Sequence, residues 1–344
     1  SMQLYNRIDK KVLREKVLNS PKERTTISFY KYHQIKNPNL FRDYLFIHFS
    51  EVGVLGRIYL AHEGINAQIS VLNENLHKFK QKLDNISFLN GIRLNYAIDD
   101  NGKSFIKLAI KVRHKIVADG LNDKEFDVTN CGKHLKAEEF NELTSKEDTI
   151  LIDMRNHYES EVGHFKGAIL PDVDSFREEL PVVEEMIKGK EDKHIVMYCT
   201  GGIRCEKASA YFKHKGYPNV YQLEGGIIEY ARQVKNKGLE NKFIGKNFVF
   251  DERLGERISD DIIASCHQCG EPCDDHTNCK NEGCHLLFIQ CKKCAEKYEG
   301  CCSQECNDII KLPLEKQKEL RKGIDKGHMV FKKGRAVKQR YQIS

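Results

Sequence analysis

Apolar and polar positions in the first part of the chain switch between two periods. The run Thr25-Thr26-Ile27-Ser28-Phe29-Tyr30-Lys31-Tyr32 is β-branched and aromatic, which predicts a strand. Residues 38–52 carry Leu40, Phe41, Tyr44, Leu45, Ile47 and Val52 at helical spacing and stop at Gly53. Strands are expected at 57–61 and 67–71 around a polar Glu63-Gly64-Ile65-Asn66 turn. A helix near 74–84 and strands near 92–98 and 105–112 follow. The order β-α-β-β-α-β predicts a ferredoxin-like split βαβ unit, a fold too widely reused to indicate a function.

From Cys131 the pattern changes. Thr149-Ile150-Leu151-Ile152-Asp153-Met154 and His194-Ile195-Val196-Met197-Tyr198 are continuous apolar runs, the form of strands buried on both faces of a parallel sheet. A helix is expected from about Cys205 to His214, then Val220-Tyr221-Gln222-Leu223 as a strand, with Glu224-Gly225-Gly226 opening another helix. Beyond residue 239 the periodicity fades into a cysteine-rich stretch. The fold class is therefore multidomain α/β and α+β: a ferredoxin-like domain over 1–130, a parallel-sheet α/β domain over 131–238, a small Cys-rich domain over 239–310 and a basic tail over 311–344. A chain of 344 residues is longer than one core usually serves, which agrees with such a division. No apolar stretch approaches the roughly 18 residues of a membrane helix, and the first residues lack a signal-peptide core. We expect a soluble, cytoplasmic protein with no membrane partner.

The net charge of +6 is uneven. Residues 1–130 hold 21 basic and 14 acidic side chains, 131–238 hold 16 and 19, 239–310 hold 8 and 14, and 311–344 hold 11 and 3. Two basic ends around an acidic middle point to a polyanionic partner. In the tail, basic residues from Lys332 to Arg340 interleave with Phe331 and Tyr341, a pattern suited to phosphate neutralisation with base stacking or to a plain solvated terminus.

The densest chemistry lies in Tyr198-Cys199-Thr200-Gly201-Gly202-Ile203-Arg204-Cys205-Glu206-Lys207-Ala208, between a buried strand and a helix. Two glycines let the backbone curl so that successive amides face the Cys199 sulfur. A thiolate at a helix N-terminus with Arg204 five residues on is expected to have a depressed pKa and to act as a nucleophile. The cradle of Thr200, Gly201, Gly202, Ile203 and Arg204 suits a thiolate or persulfide. A phosphatase loop needs its arginine one position later, where this chain has Cys205. Cys205 is either a resolving thiol for Cys199 or a small residue packed at the helix start. Asp153, Arg155, Glu159 and His164 are read as structural, and Cys131 as incidental.

Ten of the thirteen cysteines fall between Cys266 and Cys306. Cys266-His267-Gln268-Cys269 and Cys291-Lys292-Lys293-Cys294 are two C-x-x-C knuckles 21 residues apart, a four-thiolate set for one tetrahedral ion. Cys279, Cys284, Cys302 and Cys306 can furnish a second site, with Cys273, Cys301, His276 and His285 as alternatives. Structural zinc is the expected ion; local disulfides and iron–sulfur ligation are the competing readings. With few large apolar side chains, this segment needs cross-links of some kind to fold.

Leu151-Ile152-Asp153-Met154-Arg155-Asn156, Glu159, Gly163-His164-Phe165-Lys166-Gly167-Ala168, the Cys199–Arg204 loop and Val220-Tyr221-Gln222-Leu223-Glu224-Gly225-Gly226 together resemble a rhodanese domain. Adding Gly56-Arg57-Ile58-Tyr59-Leu60-Ala61-His62-Glu63-Gly64-Ile65-Asn66 before it, and Phe250-Asp251-Glu252-Arg253 with the cysteine cluster after it, the chain resembles the bacterial tRNA uridine hydroxylases that contain a rhodanese domain. The resemblance implies dioxygen-dependent formation of 5-hydroxyuridine at wobble position 34, with dioxygen as co-substrate and the tRNA anticodon stem-loop as partner. It also implies that Cys199 passes through a persulfide held by Arg204 and the amides of residues 200–204. The alternatives are a persulfide sulfurtransferase served by a sulfur-donor protein, and a redox-sensing RNA-binding module. No flavin or nicotinamide fingerprint and no 2-His-1-carboxylate set is recognisable in the sequence, so the means of dioxygen activation and the oligomeric state are left open.

Overall fold

The computed structural model describes residues 9–20 and 23–322. Helix α1 (Lys10–Leu18) is followed by β1 (Arg24–Tyr32), α2 (Pro38–Glu51), β2 (Leu55–Ala61), β3 (Gly64–Leu72), α3 (Leu76–Asp84), β4 (Asn95–Tyr96) and β5 (Leu108–Val112). The sheet order β4-β1-β3-β2-β5 contains the ferredoxin-like antiparallel arrangement in its first four strands, with β5 added parallel to β2. Asn37 caps α2 by accepting from the Leu40 amide at 3.1 Å, and Pro38 occupies the first turn, where its missing N–H costs nothing. Leu45 and Phe49 of α2 meet Phe29 of β1 and Phe79 and Leu83 of α3 in one buried core. Alternation along β1 then turns Ser28, Tyr30 and Tyr32 to the other face of the sheet.

Two details depart from the sequence expectation. The β2–β3 turn is tighter than the polar run 63–66 suggests: Ala61 pairs with Gly64 and Leu60 with Ile65, a register that buries both apolar side chains. The strand expected at 92–98 shrinks to Asn95–Tyr96, because the Asp100 carboxylate accepts from the Thr26 amide at 2.6 Å and from Gly102 at 2.9 Å and turns the chain away.

The next elements are β6 (Lys133–Leu135), α4 (Ala137–Thr144), β7 (Thr149–Asp153), α5 (His157–Ser160), β8 (Gly163–Phe165), α6 (Phe176–Met186), β9 (His194–Tyr198), α7 (Ile203–His214), β10 (Val220–Leu223) and α8 (Gly226–Lys237). Strands β6-β10-β9-β7 form one sheet, with β10 parallel to both neighbours. The rest comprises β11 (Phe243–Asn247), β12 (Glu256–Arg257), β13 (His276–Asn278), β14 (Leu287–Ile289), α9 (Lys292–Lys297), α10 (Gln304–Ile310) and α11 (Leu314–Arg321). Residues 323–344, most of the basic tail, lie outside the described residues. Among the described residues no helix is long and apolar enough to cross a membrane.

Two compact units result. Among the described residues, the first holds those up to Ile152, Met186–Asn241 and Val249–Arg253; the second holds Asp153–Glu185, Lys242–Phe248 and those from Leu254 to Lys322. Inside the second, Arg155 donates to both oxygens of Asp153 at 2.9 and 2.7 Å and to the Gly163 carbonyl at 2.6 Å, and Glu159 accepts from the Asn156 amide at 2.8 Å. These contacts fix the turn after β7.

Inside the first unit, the Lys207 ammonium of α7 is buried among three carboxylates of the N-terminal region. It contacts Glu63, Asp119 at 2.6 Å and Asp123 at 2.9 Å. Burial opposes its charge, but the carboxylates outweigh burial and raise its pKa. Lys207→Met would leave those carboxylates facing a neutral chain, with Lys115 neutralising them only in part. Urea unfolding is expected to show a loss of about 3–5 kcal/mol.

Candidate functional site

Strand β9 is buried along Ile195–Tyr198, so the next residue, Cys199, stands at the carboxyl edge of the sheet, where open α/β folds place ligands. The loop from Cys199 to α7 needs glycine at Gly202, whose φ of 106° lies in the left-handed region and whose added Cβ would sit 3.0 Å from the Tyr30 hydroxyl. Gly226 is needed for a different reason: a Cβ there would lie 2.4 Å from the Thr200 carbonyl oxygen. That close approach lets the Ile227 and Ile228 amides donate to the Cys199 and Thr200 carbonyls at 3.0 and 3.3 Å, locking the loop onto the start of α8.

The Gly202 amide donates to Cys199 Sγ at 3.1 Å. Arg204 reaches Thr200 Oγ1 at 3.4 Å, and its guanidinium lies 5.8 Å from the Phe250 ring centroid. Burial alone would push the Cys199 thiol up. Hydrogen bonding from Cys205, the Arg204 charge and the Cys205 and Gly202 amides outweigh burial and bring it from 9.0 down to about 6. The loop thus holds a thiolate at neutral pH. Alkylation of Cys199 by iodoacetamide is expected to rise with pH through a midpoint near 6 and then stay level across pH 8–9, where an ordinary thiol is still climbing. A midpoint above 8 would remove the case for a cradle. Cys205, fully buried at the start of α7, bonds to Cys199 through both its thiol and its amide, so packing and redox partnership are both open to it.

The polar face of β1 and β4 covers this loop. Tyr30 donates to Glu206 at 2.8 Å, Tyr32 to the Ile203 carbonyl at 3.1 Å, and Asn95 Nδ2 to the Gly201 carbonyl at 3.4 Å. Cys199 is only 1% exposed beneath them. The Cys131 thiol, given no role from sequence, donates to Glu206 at 3.3 Å, and His134 Nε2 lies 3.2 Å from the same carboxylate. The contacts from Cys131 and Glu206, less the cost of burial, raise His134 to about 10. Sequence reasoning missed Tyr30, Asn95, Glu206 and Lys207 as site residues. The usable signal was the alternation in β1, which presents Ser28, Tyr30 and Tyr32 on the face opposite the core.

In the second unit, Cys266, Cys269, Cys291 and Cys294 gather with all four sulfurs within 4.8 Å of one another, and so do Cys279, Cys284, Cys302 and Cys306. Cys273 and Cys301, both buried, are not among these eight, although Cys301 packs in one core with Cys279, Cys302 and Cys306. All thirteen cysteines are unbridged. Sulfur separations of 3.6 Å for Cys269–Cys291, 3.7 Å for Cys284–Cys302 and 3.8 Å for Cys302–Cys306 far exceed a disulfide bond of about 2.05 Å. They match the edge of a tetrahedron with metal–sulfur bonds of about 2.3 Å, about 3.8 Å. Each cluster could hold a metal ion, and the donor set is compatible with zinc.

Family models match three segments: a UPF0176 acylphosphatase like domain over residues 24–116, a rhodanese-like domain over 136–233 and a rhodanase C-terminal region over 244–307. A protein of Pectobacterium carotovorum subsp. carotovorum named tRNA uridine(34) hydroxylase is 58% identical, covering 98% of this chain and 95% of its own. Proteins of the same name from Photorhabdus laumondii and Escherichia fergusonii are each 57% identical, covering 96% of this chain and 95% of theirs. The chain belongs to the tRNA uridine(34) hydroxylase family. Family membership thus extends through all three matched segments, so the activated Cys199 loop, the sheet that covers it and both cysteine clusters belong to one architecture.

Proposed function

We propose that this chain hydroxylates uridine 34 of tRNA, the wobble position, to 5-hydroxyuridine, with Cys199 as the essential thiol and dioxygen as co-substrate. The observation that carries the reading is a cysteine brought to about pKa 6 by its own loop, in a chain more than half identical from end to end to proteins named for this reaction. Insertion of one oxygen atom into the C5–H bond leaves the other oxygen to be reduced to water by two electrons and two protons. Closure of a disulfide between the Cys199 thiolate and the Cys205 thiol releases two electrons and one proton, the second proton coming from solvent, and a Cys199 persulfide held by residues 200–204 is a second sulfur species suited to the same cradle.

The partner is the anticodon stem-loop, whose unstacked bases are open to an enzyme without melting a duplex. The working compartment is the cytoplasm. Zinc in the two four-cysteine clusters has a folding role. The division into 1–130, 131–238, 239–310 and a basic tail is retained, and each matched segment falls within one of these bounds.

The test is incubation of the full chain with unmodified tRNA under ¹⁸O₂, followed by nucleoside mass analysis. The expected product is 5-hydroxyuridine at position 34 carrying one ¹⁸O. Sulfur transfer from thiosulfate without any hydroxylated nucleoside would instead favour a sulfurtransferase, the reading that the rhodanese-like match taken alone would suggest.

A further inference from the structure

Three ligand-type side chains of the first unit meet at a point that the chemistry above does not use. Gly132 lets them meet. A Cβ there would lie 2.7 Å from the Val220 carbonyl oxygen, and its amide donates to Ser209 Oγ at 2.8 Å, so the chain entering β6 is held against α7. Cys131 and His134, which flank that glycine, are thereby set against Glu206, one turn before Ser209 on the same helix. Cys131 Sγ lies 3.3 Å from Glu206 Oε1 and 3.7 Å from His134 Nε2, and Nε2 lies 3.2 Å from the same oxygen.

We propose that Cys131, His134 and Glu206 form an open metal site that binds one zinc ion, separate from the two four-cysteine clusters. A tetrahedral ion with bonds of about 2.3 Å to sulfur and about 2.1 Å to nitrogen and oxygen has edges of about 3.6 Å from sulfur to either lighter donor and about 3.4 Å from nitrogen to oxygen. The three separations stand within about 0.3 Å of those edges. Protons on Cys131 and His134 can serve two of the three contacts, whereas one cation serves all three. Thiolate, imidazole and carboxylate together suit zinc rather than magnesium or calcium, and their two negative charges cancel that of the ion. Three protein ligands leave the fourth position to water or a small ligand, as in reactive rather than structural zinc sites.

The surroundings hold the ligands ready. Glu206 Oε2 accepts from Tyr30 and from the buried Gln222, both at 2.8 Å, which turns Oε1 to Cys131 and His134. The other ring nitrogen of His134, Nδ1, faces the Glu224 carboxylate at 3.8 Å, the kind of outer partner that orients a metal-bound imidazole. Binding releases the protons of Cys131 and His134 Nε2 and keeps the one on Nδ1. All three ligands are part-exposed, and His134 and Glu206 also line a cavity of about 350 Å³, so ions and water have access to the cluster.

With one thiolate instead of four, this site is expected to hold its ion more weakly than the clusters, so protein purified without added metal keeps the cluster ions only. The test adds cobalt(II) to that reduced full chain, and measures zinc and cobalt after equilibrium dialysis together with the absorption spectrum. The total is expected to rise by one ion per chain, with cluster zinc retained, a thiolate-to-cobalt charge-transfer band appearing, and added zinc displacing the cobalt. Cys131→Ala is expected to remove the band, and Cys131→Ala and His134→Ala each to weaken uptake by about a hundredfold or more. The unsubstituted chain can overturn the proposal by itself, through no uptake, uptake matched by release of cluster zinc, uptake without the band, or cobalt that zinc does not displace. Uptake that persists in the chain carrying both substitutions overturns it as well.

Discussion

Replacing Cys199 by alanine is expected to lower 5-hydroxyuridine formation by roughly a thousandfold or more while leaving tRNA affinity within a few-fold of the original. The asymmetry follows from the position of the thiol. Cys199 is buried under the loop and offers little binding surface, so on the proposed reading its loss removes the chemistry and little else. Cys199→Ser is expected to be equally inactive, because the amides and Arg204 that bring a thiol from 9.0 to about 6 cannot ionise a hydroxyl near neutral pH. Cys205→Ala separates the two readings of that residue. If it only packs the helix start and hydrogen bonds Cys199, the Cys199 midpoint rises, and single-turnover hydroxylation returns to its original rate at higher pH. If it supplies electrons by closing on Cys199, turnover fails even in protein whose melting temperature is unchanged. Nucleoside mass analysis of tRNA after incubation checks all three variants, and a Cys199→Ala protein that still hydroxylates at the original rate would end the assignment.

What was legible in the sequence was local. The apolar run Ile195–Tyr198 followed by two glycines, an arginine and a helix specifies a strand, a tight turn and an anion cradle within a dozen residues, and the C-x-x-C pairs specify their own geometry. The two-residue strand Asn95–Tyr96 was not legible at that length, since it ends where Asp100 ties back to Thr26, a partner 74 residues earlier. The covering of the thiol was hidden for the same reason. Tyr30 and Glu206 are 176 residues apart and Lys207 and Glu63 are 144 apart, and neither pair has a spacing rule. Outward-facing aromatics on a strand are common surface residues, and only the tertiary structure shows that those of β1 cover the carboxyl edge of a second sheet. Cys131 illustrates the limit well, because its role depends on His134 nearby and Glu206 far along the chain.

The C-terminal segment is expected to lose its structure when metal is withheld from its two four-cysteine clusters. Its local core consists of Cys279, Leu286, Phe288, Cys301, Cys302 and Cys306, with Cys284 and Ile310 packed against it. Only three of those eight side chains are hydrocarbon, and with the buried Leu287 and Ile289 the segment still offers too little burial to offset the ordering of some forty residues. Tetrahedral thiolate sites supply apparent binding free energies of about 10–16 kcal/mol in zinc-finger peptides, enough to decide whether such a segment folds. Metal analysis of the reduced protein is expected to give two zinc ions per chain. Chelation under reducing conditions should then abolish hydrogen-exchange protection across residues 266–306 while leaving β9 and its sheet protected. Cys291→Ser should release one ion, and Cys302→Ser the other. In air the metal-free protein should close disulfides at its nearest pairs, Cys269–Cys291 and Cys284–Cys302, which peptide mapping would detect. Protection that survives chelation in reduced protein containing no metal would show that the segment folds by packing alone, and the tetrahedral spacing of its sulfurs would then need another cause.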